Sequence, residues 1–307
     1  MPTVDLSTPP RPPTGLLDAL PRRVALTLPE LRLVAERAGG APLPFDLVTT
    51  AGANPLDTRL GESPSSGEDA AYAAALASLH DPATSLARRG LLDDDGTAAG
   101  LAGAVGLLAT PTTALDIDVT AAGIRARSWH RQAGDAVATL STVDGIVFEL
   151  AWFPASQWAA ELGRAAVLPV DLDVSASEVP AHVEIPFELA DAAAEAIRSD
   201  RGDLLPVLAA GHSGSVLDDR GPLGEREVTA LLGALAREAQ GRLRVLVANV
   251  ADGEPTVVGV VSWTLLADGW HALRPRQVGD AHRVVVRAVE PSDLATELAP
   301  VLAEVTG

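Results

Sequence analysis

The sequence has no cysteine and no lysine, and aromatic residues make up only 3% of its 307 residues. Without cysteine, the chain cannot form a disulfide, use a thiolate nucleophile or bind a metal through sulfur. Without lysine, it can supply neither a Schiff base nor the lysine of a phosphate-binding loop. These absences exclude several large classes of enzyme before any motif is considered.

The chain is acidic, with a net charge of -18 at pH 7 from 41 acidic and 23 basic residues. This sign of charge argues against binding to a nucleic acid backbone or an anionic lipid surface through the overall field. The sequence lacks the basic start and apolar run of a secretory signal, and no apolar run is long enough to span a bilayer. We therefore predict a globular cytoplasmic protein.

Two runs of short apolar segments dominate the sequence. The strands predicted in the first run are Leu115–Val119, Ile124–Arg131, Val137–Thr142 and Ile146–Phe153. Those predicted in the second run are Leu243–Val250, Val257–Leu266, Trp270–Leu273 and Arg283–Val289. Gly/Asp pairs mark two of the breaks in the first run and all three in the second. Breaks this short join antiparallel strands, because a parallel pair needs a long crossover.

A predicted helix precedes and follows each run of strands. The leading helices are Thr97–Leu108 and Glu225–Gln240, and the closing helices begin at Pro154 and Pro291. The order helix, four strands, helix occurs twice, which predicts an α+β fold with a large antiparallel sheet, flanking helices and an internal pseudo-two-fold repeat. We predict an extended Pro-rich leader over residues 1–23 and a single domain over 24–307, with halves of about 24–168 and 169–307.

Several further elements follow from local patterns. Helices are predicted at Pro29–Ala38 and at Phe187–Arg198, the second with Phe187, Ala190, Ala194 and Ile197 along one apolar side. The other predicted elements are a strand at Pro44–Val48, a crossing segment or edge strand within Val170–Ile185, and a loop at His212–Leu223.

One predicted strand carries an unusual row of side chains. Period-two alternation places Arg125, Arg127, Trp129 and Arg131 on one side of the segment Ile124–Arg131. An antiparallel sheet usually keeps one face in contact with solvent. Arginines and a tryptophan on an acidic protein can form a binding surface, and an ordinary solvated face is the simpler alternative.

The candidate catalytic and metal motifs are incomplete. The string Gly211-His212-Ser213-Gly214-Ser215 departs from the hydrolase nucleophile elbow at its last position, and a helix rather than a strand is predicted before it. Asp93–Gly96 lacks the spacing and distant glutamate of a calcium loop, so it is interpreted as a turn and a helix N-cap. The six histidines show no paired spacing typical of metal ligands.

The order of the elements, together with several local strings, resembles the EspG family of cytosolic chaperones of type VII (ESX) secretion. The strings that carry the resemblance are Leu26–Leu31, Leu43–Leu47, Arg89–Gly96, Leu115–Val119, Asp268–Trp270 and the closing helix from Pro291 to Leu302. Singly these strings are generic, and their order and spacing make the match. The resemblance extends from about Val24 to Val305.

This resemblance implies a fold, a partner and the absence of catalysis. The family has a central antiparallel sheet with helices around a pseudo-two-fold, and it binds a helical secretion substrate pair of the PE–PPE type. The turn Arg131–Asp135 and the later helices would then meet the tip of the substrate. The predicted partner-binding residues are Arg125, Arg127, Trp129, Arg131 and Asp135. No catalytic residue, cofactor or metal is predicted, and the free protein is expected to be a monomer or a weak homodimer.

Two alternative functions stay open at this point. The first is a hydrolase that uses Ser213 as its nucleophile together with His212 or His271. A catalytic triad assembles in space, so its absence from the linear sequence does not exclude one. The second alternative is a non-catalytic ligand-binding or scaffold protein with no role in secretion.

Overall fold

The computed structural model describes residues 22–45, 80–93, 96–251 and 255–306. The strands of this part of the chain are β1 (Arg22–Thr27), β2 (Leu92–Asp93), β3 (Gly96–Thr97), β4 (Thr113–Ala121), β5 (Ile124–Ala133), β6 (Ala136–Thr142), β7 (Val147–Pro154), β8 (His182–Pro186), β9 (Leu217–Asp218), β10 (Gly221–Pro222), β11 (Gly241–Asn249), β12 (Thr256–Leu266), β13 (Gly269–Val278) and β14 (Ala281–Ala288). Its α-helices are α1 (Leu28–Arg37), α2 (Pro82–Arg88), α3 (Ala99–Ala109), α4 (Trp158–Ala165), α5 (Phe187–Arg198), α6 (Leu205–Gly211), α7 (Glu225–Glu238) and α8 (Asp293–Thr306).

Twelve of these strands form one large antiparallel sheet in the order β1-β7-β6-β5-β4-β11-β12-β13-β14-β8-β9-β10, and β2 and β3 form a separate hairpin. The α+β fold with a large antiparallel sheet is therefore confirmed. Both predicted runs of four strands are present, as β4 to β7 and as β11 to β14. The two-fold relation between the two runs stays a prediction.

By its internal contacts, the chain divides into two compact units. The first comprises residues up to 116, residues 126–158 and residues 247–258, and the second comprises residues 117–125, 159–246 and 259–307. The predicted single domain and its halves stay a prediction, and the predicted leader lies almost entirely outside the described residues.

The first unit has an aromatic and aliphatic core beneath α1 and α3. Leu31 and Val34 of α1 are buried there, and Phe45 contacts both Trp129 and Phe148 at ring-centroid distances of 5.8 and 5.2 Å. This spacing is typical of favourable aromatic pairs. The core therefore fixes α1 and α3 on one face of the strands β5 to β7.

The start of α1 is held by a buried polar cluster. Thr27 caps the helix and forms a capping box with Glu30, whose Oε2 accepts the Thr27 backbone N–H at 2.9 Å. Arg89, just after α2, donates to both Glu30 oxygens at 3.3 Å and to the Ala25 carbonyl oxygen at 2.6 Å. The same carboxylate therefore fastens the end of α2 to the start of α1.

The second unit has an aliphatic core beneath the helices α5, α6 and α7. Its buried members are Val179, Val183, Ile185, Leu189, Ala193, Leu205, Ala209, Val216, Leu223, Val228, Leu231, Leu232, Ala234, Leu266 and Val286. Trp263 and Trp270 pack at 6.2 Å between ring centroids, and the Trp270 indole N–H donates to the Ala166 carbonyl oxygen at 2.7 Å. A Cβ at Gly259 would lie 2.6 Å from Val301, so the absence of a side chain there lets α8 approach β12 closely.

Four local predictions are wrong in detail. Pro44 and Phe45 have helical backbone rather than strand, and residues 46–48 of that prediction lie outside the described residues. Asp93 and Gly96 pair with each other in a short hairpin, and residues 94–95 lie outside the described residues. The helix α3 begins after Ala98 without a side-chain cap, so the predicted N-cap is wrong. Of the two alternatives for Val170–Ile185, the edge strand is wrong, because the only described strand there, β8, pairs on both sides. The predicted loop His212–Leu223 contains the short hairpin of β9 and β10.

Candidate partner-binding surface

The predicted binding residues lie on β5 and on the turn that follows it. The strand β5 pairs with β6, and Gly134 and Asp135 form the connection between Ala133 and Ala136. Gly134 has a φ of 56°, in the left-handed region where glycine is favoured. The Asp135 carbonyl oxygen accepts a hydrogen bond from the Ala155 N–H at 2.9 Å, so the turn has a fixed position within the first unit.

Three of the five predicted residues are exposed. Arg127 and Asp135 of the first unit project into solvent, and no hydrogen bond or ion pair joins the Arg127 side chain to another residue in the described ranges. Arg125, in the second unit, is exposed and donates through Nε to the Asp118 carboxylate at 3.0 Å. This hydrogen bond raises the pKa of the Arg125 guanidinium. All three groups are accessible to a partner.

Trp129 is buried, in contrast to the prediction that it shares a solvated face. Its residue is 6% exposed and belongs to the core of the first unit, where it lies opposite Leu140 of β6 and contacts Phe45. The predicted wet face is therefore wrong from this position onward, because α1 and α3 cover the face to which Trp129 points. We therefore expect Trp129 to stabilise the first unit through packing rather than to contact a partner.

Arg131 is also buried, and its guanidinium is occupied within the first unit. Nη1 donates to the Asp116 carboxylate at 2.8 Å and to the carbonyl oxygens of Leu115 and His130 at 3.1 and 3.0 Å. A buried charge of this kind needs its partners, because leaving one unpaired costs several kcal/mol. Arg131 therefore fixes β5 to the start of β4 through Nη1, and only 8% of its side chain is exposed to a partner.

The opposite face of β5 is closed by a histidine and a tryptophan. The Trp158 indole N–H donates to Nδ1 of His130 at 3.0 Å, and Nε2 of His130 lies 3.0 Å from the Ser128 hydroxyl. Burial, followed by the charge of Arg131, lowers the pKa of His130 to about 3. The imidazole is therefore neutral, and since Nδ1 accepts, its proton is on Nε2 and is donated to Ser128.

The structure also exposes several large apolar residues, two of them on the apolar side predicted for α5. On α5, Leu189, Ala193 and Ala196 are the buried residues, whereas Phe187 is 51% exposed and Ile197 is exposed at the other end of the predicted stripe. On α6, Val207 is 68% exposed. The helical period was read correctly, but α5 has two apolar stripes, and the stripe with the larger side chains faces solvent. The sequence contained a signal for this exposure, because a helix with two apolar stripes has more apolar positions than one core-facing side can bury.

The proposed Ser–His arrangement is not assembled. Ser213 is exposed in a turn after α6, and no hydrogen bond joins it to a histidine in the part of the chain that the structure describes. His271 is fully buried, and its Nε2 is bound to Asp268 at 2.9 Å. Across the same residues, no group of three or more acidic or histidine side chains is placed to hold a metal ion.

Comparison with known proteins gives one informative result. The structure matches a solved structure of the Mycobacterium tuberculosis type VII secretion system chaperone EspG5 in complex with a PE25–PPE41 dimer, with a TM-score of 0.57 and 12% sequence identity. The match covers 92% of this chain and 96% of that chain. The chain has the EspG fold.

The EspG fold thus extends over nearly the whole of both chains, and the predicted resemblance is confirmed at the level of structure. No protein-family model matches the sequence, and no curated protein matches it. None of the helices in the described ranges has both the length and the apolar character needed to cross a membrane.

Proposed function

We propose that this protein is a cytoplasmic chaperone of type VII secretion that binds a helical PE–PPE-like heterodimer and keeps it soluble until it is handed on. The observation that carries the proposal is the EspG fold, which matches over 92% of this chain a chaperone solved together with its PE25–PPE41 dimer. On this proposal the protein acts by binding and not by catalysis.

The chemistry of the exposed residues supports such a role. A secreted helical pair with an apolar tip would associate with itself in the cytoplasm, and a chaperone must cover that tip. In the second unit, α5 and α6 present Phe187, Ile197 and Val207 to solvent. A specific complex needs about 800 Å² of buried surface on each partner. These side chains supply apolar contacts of the required kind.

The polar residues of β5 and its turn would add specificity. Arg127 and Asp135 are accessible in the first unit and Arg125 is accessible in the second. Exposed charges of this kind contribute more to the rate and selectivity of association than to affinity. We propose that these three residues contact the cargo, while Trp129 and Arg131 support the strand from within.

The direct test is co-expression with the PE–PPE pair encoded nearest to this gene, followed by size-exclusion chromatography. We expect the pair to be soluble only with this protein and to elute with it. Arg127→Glu should weaken the complex, whereas Arg32→Glu, at another exposed arginine, this one on α1, changes the charge by the same amount and should leave it intact. A pair that is equally soluble alone and never elutes with the protein would refute the proposal.

The hydrolase alternative is tested separately. Purified protein is assayed against a panel of activated esters, with Ser213→Ala as the matched variant. We expect no hydrolysis above the uncatalysed rate, because no base among the described residues lies within hydrogen-bond reach of Ser213. Turnover that disappears in Ser213→Ala would restore the hydrolase hypothesis.

A further inference from the structure

A groove in the second unit is open to solvent next to an exposed turn. The groove is lined by Ala122, Ile124, Pro169, Asp171, Leu172, Asp173 and Gln240. Its volume of about 320 Å³ is at the lower end of the range for ligand sites, about 300–1,000 Å³. It is therefore large enough for a long side chain and too small for a large cofactor.

The apolar part of the groove comes from two different segments. Ile124, at the start of β5, is 49% exposed, and Leu172 lies beside it in the lining. Ala122 contributes from a hairpin turn in which it and Gly123 both have positive φ, at 51° and 77°. A two-residue turn of this geometry normally carries Asn-Gly, so the small apolar Ala122 is unusual and leaves the groove open.

The turn 169–172 contributes three residues to the lining of the groove and exposes the fourth. The Leu172 N–H donates to the Pro169 carbonyl oxygen at 3.1 Å, which closes a turn whose Val170 is fully exposed. The segment is fixed further on, where the Ser175 N–H donates to the Ala267 carbonyl oxygen at 2.8 Å. The exposed apolar side chain is therefore held in place next to the groove.

Two carboxylates complete the rim. Asp171 and Asp173 are exposed, and neither makes a hydrogen bond or an ion pair with another residue in the described ranges. Other exposed carboxylates of the second unit already pair with an arginine, as Glu178 does with Arg237 and Asp203 with Arg201. The groove thus combines apolar walls with two unneutralised negative charges.

We propose that this groove is a docking site for an arginine-bearing segment of a partner protein. The methylene stem of an arginine would lie against Ile124 and Leu172, and its planar guanidinium would reach the two carboxylates. Long basic side chains bind apolar surface with their stems while their charged ends stay hydrated. Arginine is favoured over lysine because its fixed fork of donors can bridge two carboxylates. The observations behind this site are different from those behind the proposed cargo binding, so either proposal can fail without the other.

The experiment uses the full-length protein and a labelled peptide in which leucine alternates with arginine, titrated by fluorescence anisotropy. A peptide with citrulline at each arginine keeps nearly the same shape but replaces the charged fork of five N–H donors by a neutral ureido group with fewer donors. Because exposed ion pairs are individually weak, we expect the arginine peptide to bind only about fivefold more tightly than the citrulline peptide. Asp171→Asn combined with Asp173→Asn should abolish this preference.

The matched control is Asp280→Asn combined with Glu304→Gln, which removes the same charge from two other exposed acidic residues of the second unit. It should retain the preference for arginine. Ile124→Ser should weaken both peptides, and NMR shifts should be largest at Ile124 and at the Asp171 and Asp173 amides. Equal loss in the control variant would show attraction to the net charge alone. Such a loss would overturn the proposal. It would also be overturned if both peptides bound equally, if the NMR shifts lay elsewhere, or if no binding occurred at millimolar peptide.

Discussion

The helices α1 and α5 each follow a strand directly, but only α5 exposes large apolar side chains to solvent. Each buries a similar apolar face, with Leu31 fully buried on α1 and Leu189 fully buried on α5. The outward positions of α1 are charged, whereas α5 exposes Phe187 and Ile197. The difference is consistent with the proposed role of the outer face of α5 in binding cargo.

The two helices also begin differently. The Thr27 side chain and the carboxylate of Glu30 cap α1, and Arg89 binds that carboxylate. The residue before α5 is Pro186, which supplies no side-chain cap, and Glu188 in its first turn is exposed. The start of α1 is therefore held by polar contacts, whereas α5 is held by its apolar face.

The largest expected change in stability comes from truncating a leucine on the buried face of α1 or of α5. Leu31→Ala and Leu189→Ala should each lower the free energy of unfolding by about 2–5 kcal/mol, because both remove a fully buried side chain and leave a cavity. Chemical denaturation followed by circular dichroism measures both values. A loss below 1 kcal/mol in only one of them would show that the two helices are not packed equivalently.

A smaller effect should separate the two helix starts. Glu30→Ala removes the acceptor of the Thr27 N–H and of Arg89, so we expect the free energy of unfolding to fall by about 1–3 kcal/mol. Glu188→Ala is the matched control, and because Glu188 is exposed its cost should stay within about 0.5 kcal/mol. Equal costs would contradict the role given to the polar cluster.

The contribution of Glu30 should depend on pH. Burial opposes ionisation of its carboxyl, but hydrogen bonds from Thr27 and Ser85 and the charge of Arg89 outweigh burial and lower its pKa below 4.5. When the pKa of a carboxyl is lower in the folded than in the unfolded state, ionisation stabilises the folded protein. This stabilisation is complete above the unfolded pKa and is lost as pH falls through the folded pKa. The stability gap between the wild type and Glu30→Ala should therefore be constant near neutral pH and narrow below about pH 4.5. A gap that widens in acid would show the opposite shift.

The smallest effect on stability is expected on the outer face of α5. Phe187→Ser should change the free energy of unfolding by less than about 1 kcal/mol, because the side chain is half exposed, but it should weaken binding of the PE–PPE-like pair. Val143→Ser, an exposed apolar residue in the turn before β7, is the control. Thermal melts and titration of the cargo pair measure the two quantities. Unchanged cargo binding in Phe187→Ser would remove α5 from the proposed interface.

The strands were the most predictable part of the fold. All eight predicted strands of the two runs are present. Their antiparallel pairing was predictable because short Gly/Asp breaks, such as Gly134–Asp135 and Asp144–Gly145, leave no room for a parallel crossover. Helices with strong apolar periodicity were equally clear, as at α5 and α7. The prediction failed at Pro44–Phe45, where two residues of a short apolar string do not distinguish a strand from a helical turn.

The candidate site was less predictable because burial depends on what covers a strand. Alternation correctly places Arg127, Trp129 and Arg131 on the same side of β5, but it does not show where a helix begins to cover that side. The apolar excess on α5 posed the same problem in reverse, since two stripes compete for one core. Local pattern therefore defines the faces of an element, and only the tertiary structure decides which face is solvated.

The hydrogen bond between Trp158 and His130 gives the protein an internal optical probe. With a pKa of about 3, His130 keeps the same protonation state across the ordinary working range of pH. The indole of Trp158 therefore has a constant electrostatic neighbour, and its emission responds to displacement of this residue from β5 rather than to titration. In a variant whose four other tryptophans are replaced, Trp158 fluorescence would for this reason follow how the strand adjusts when the proposed cargo binds.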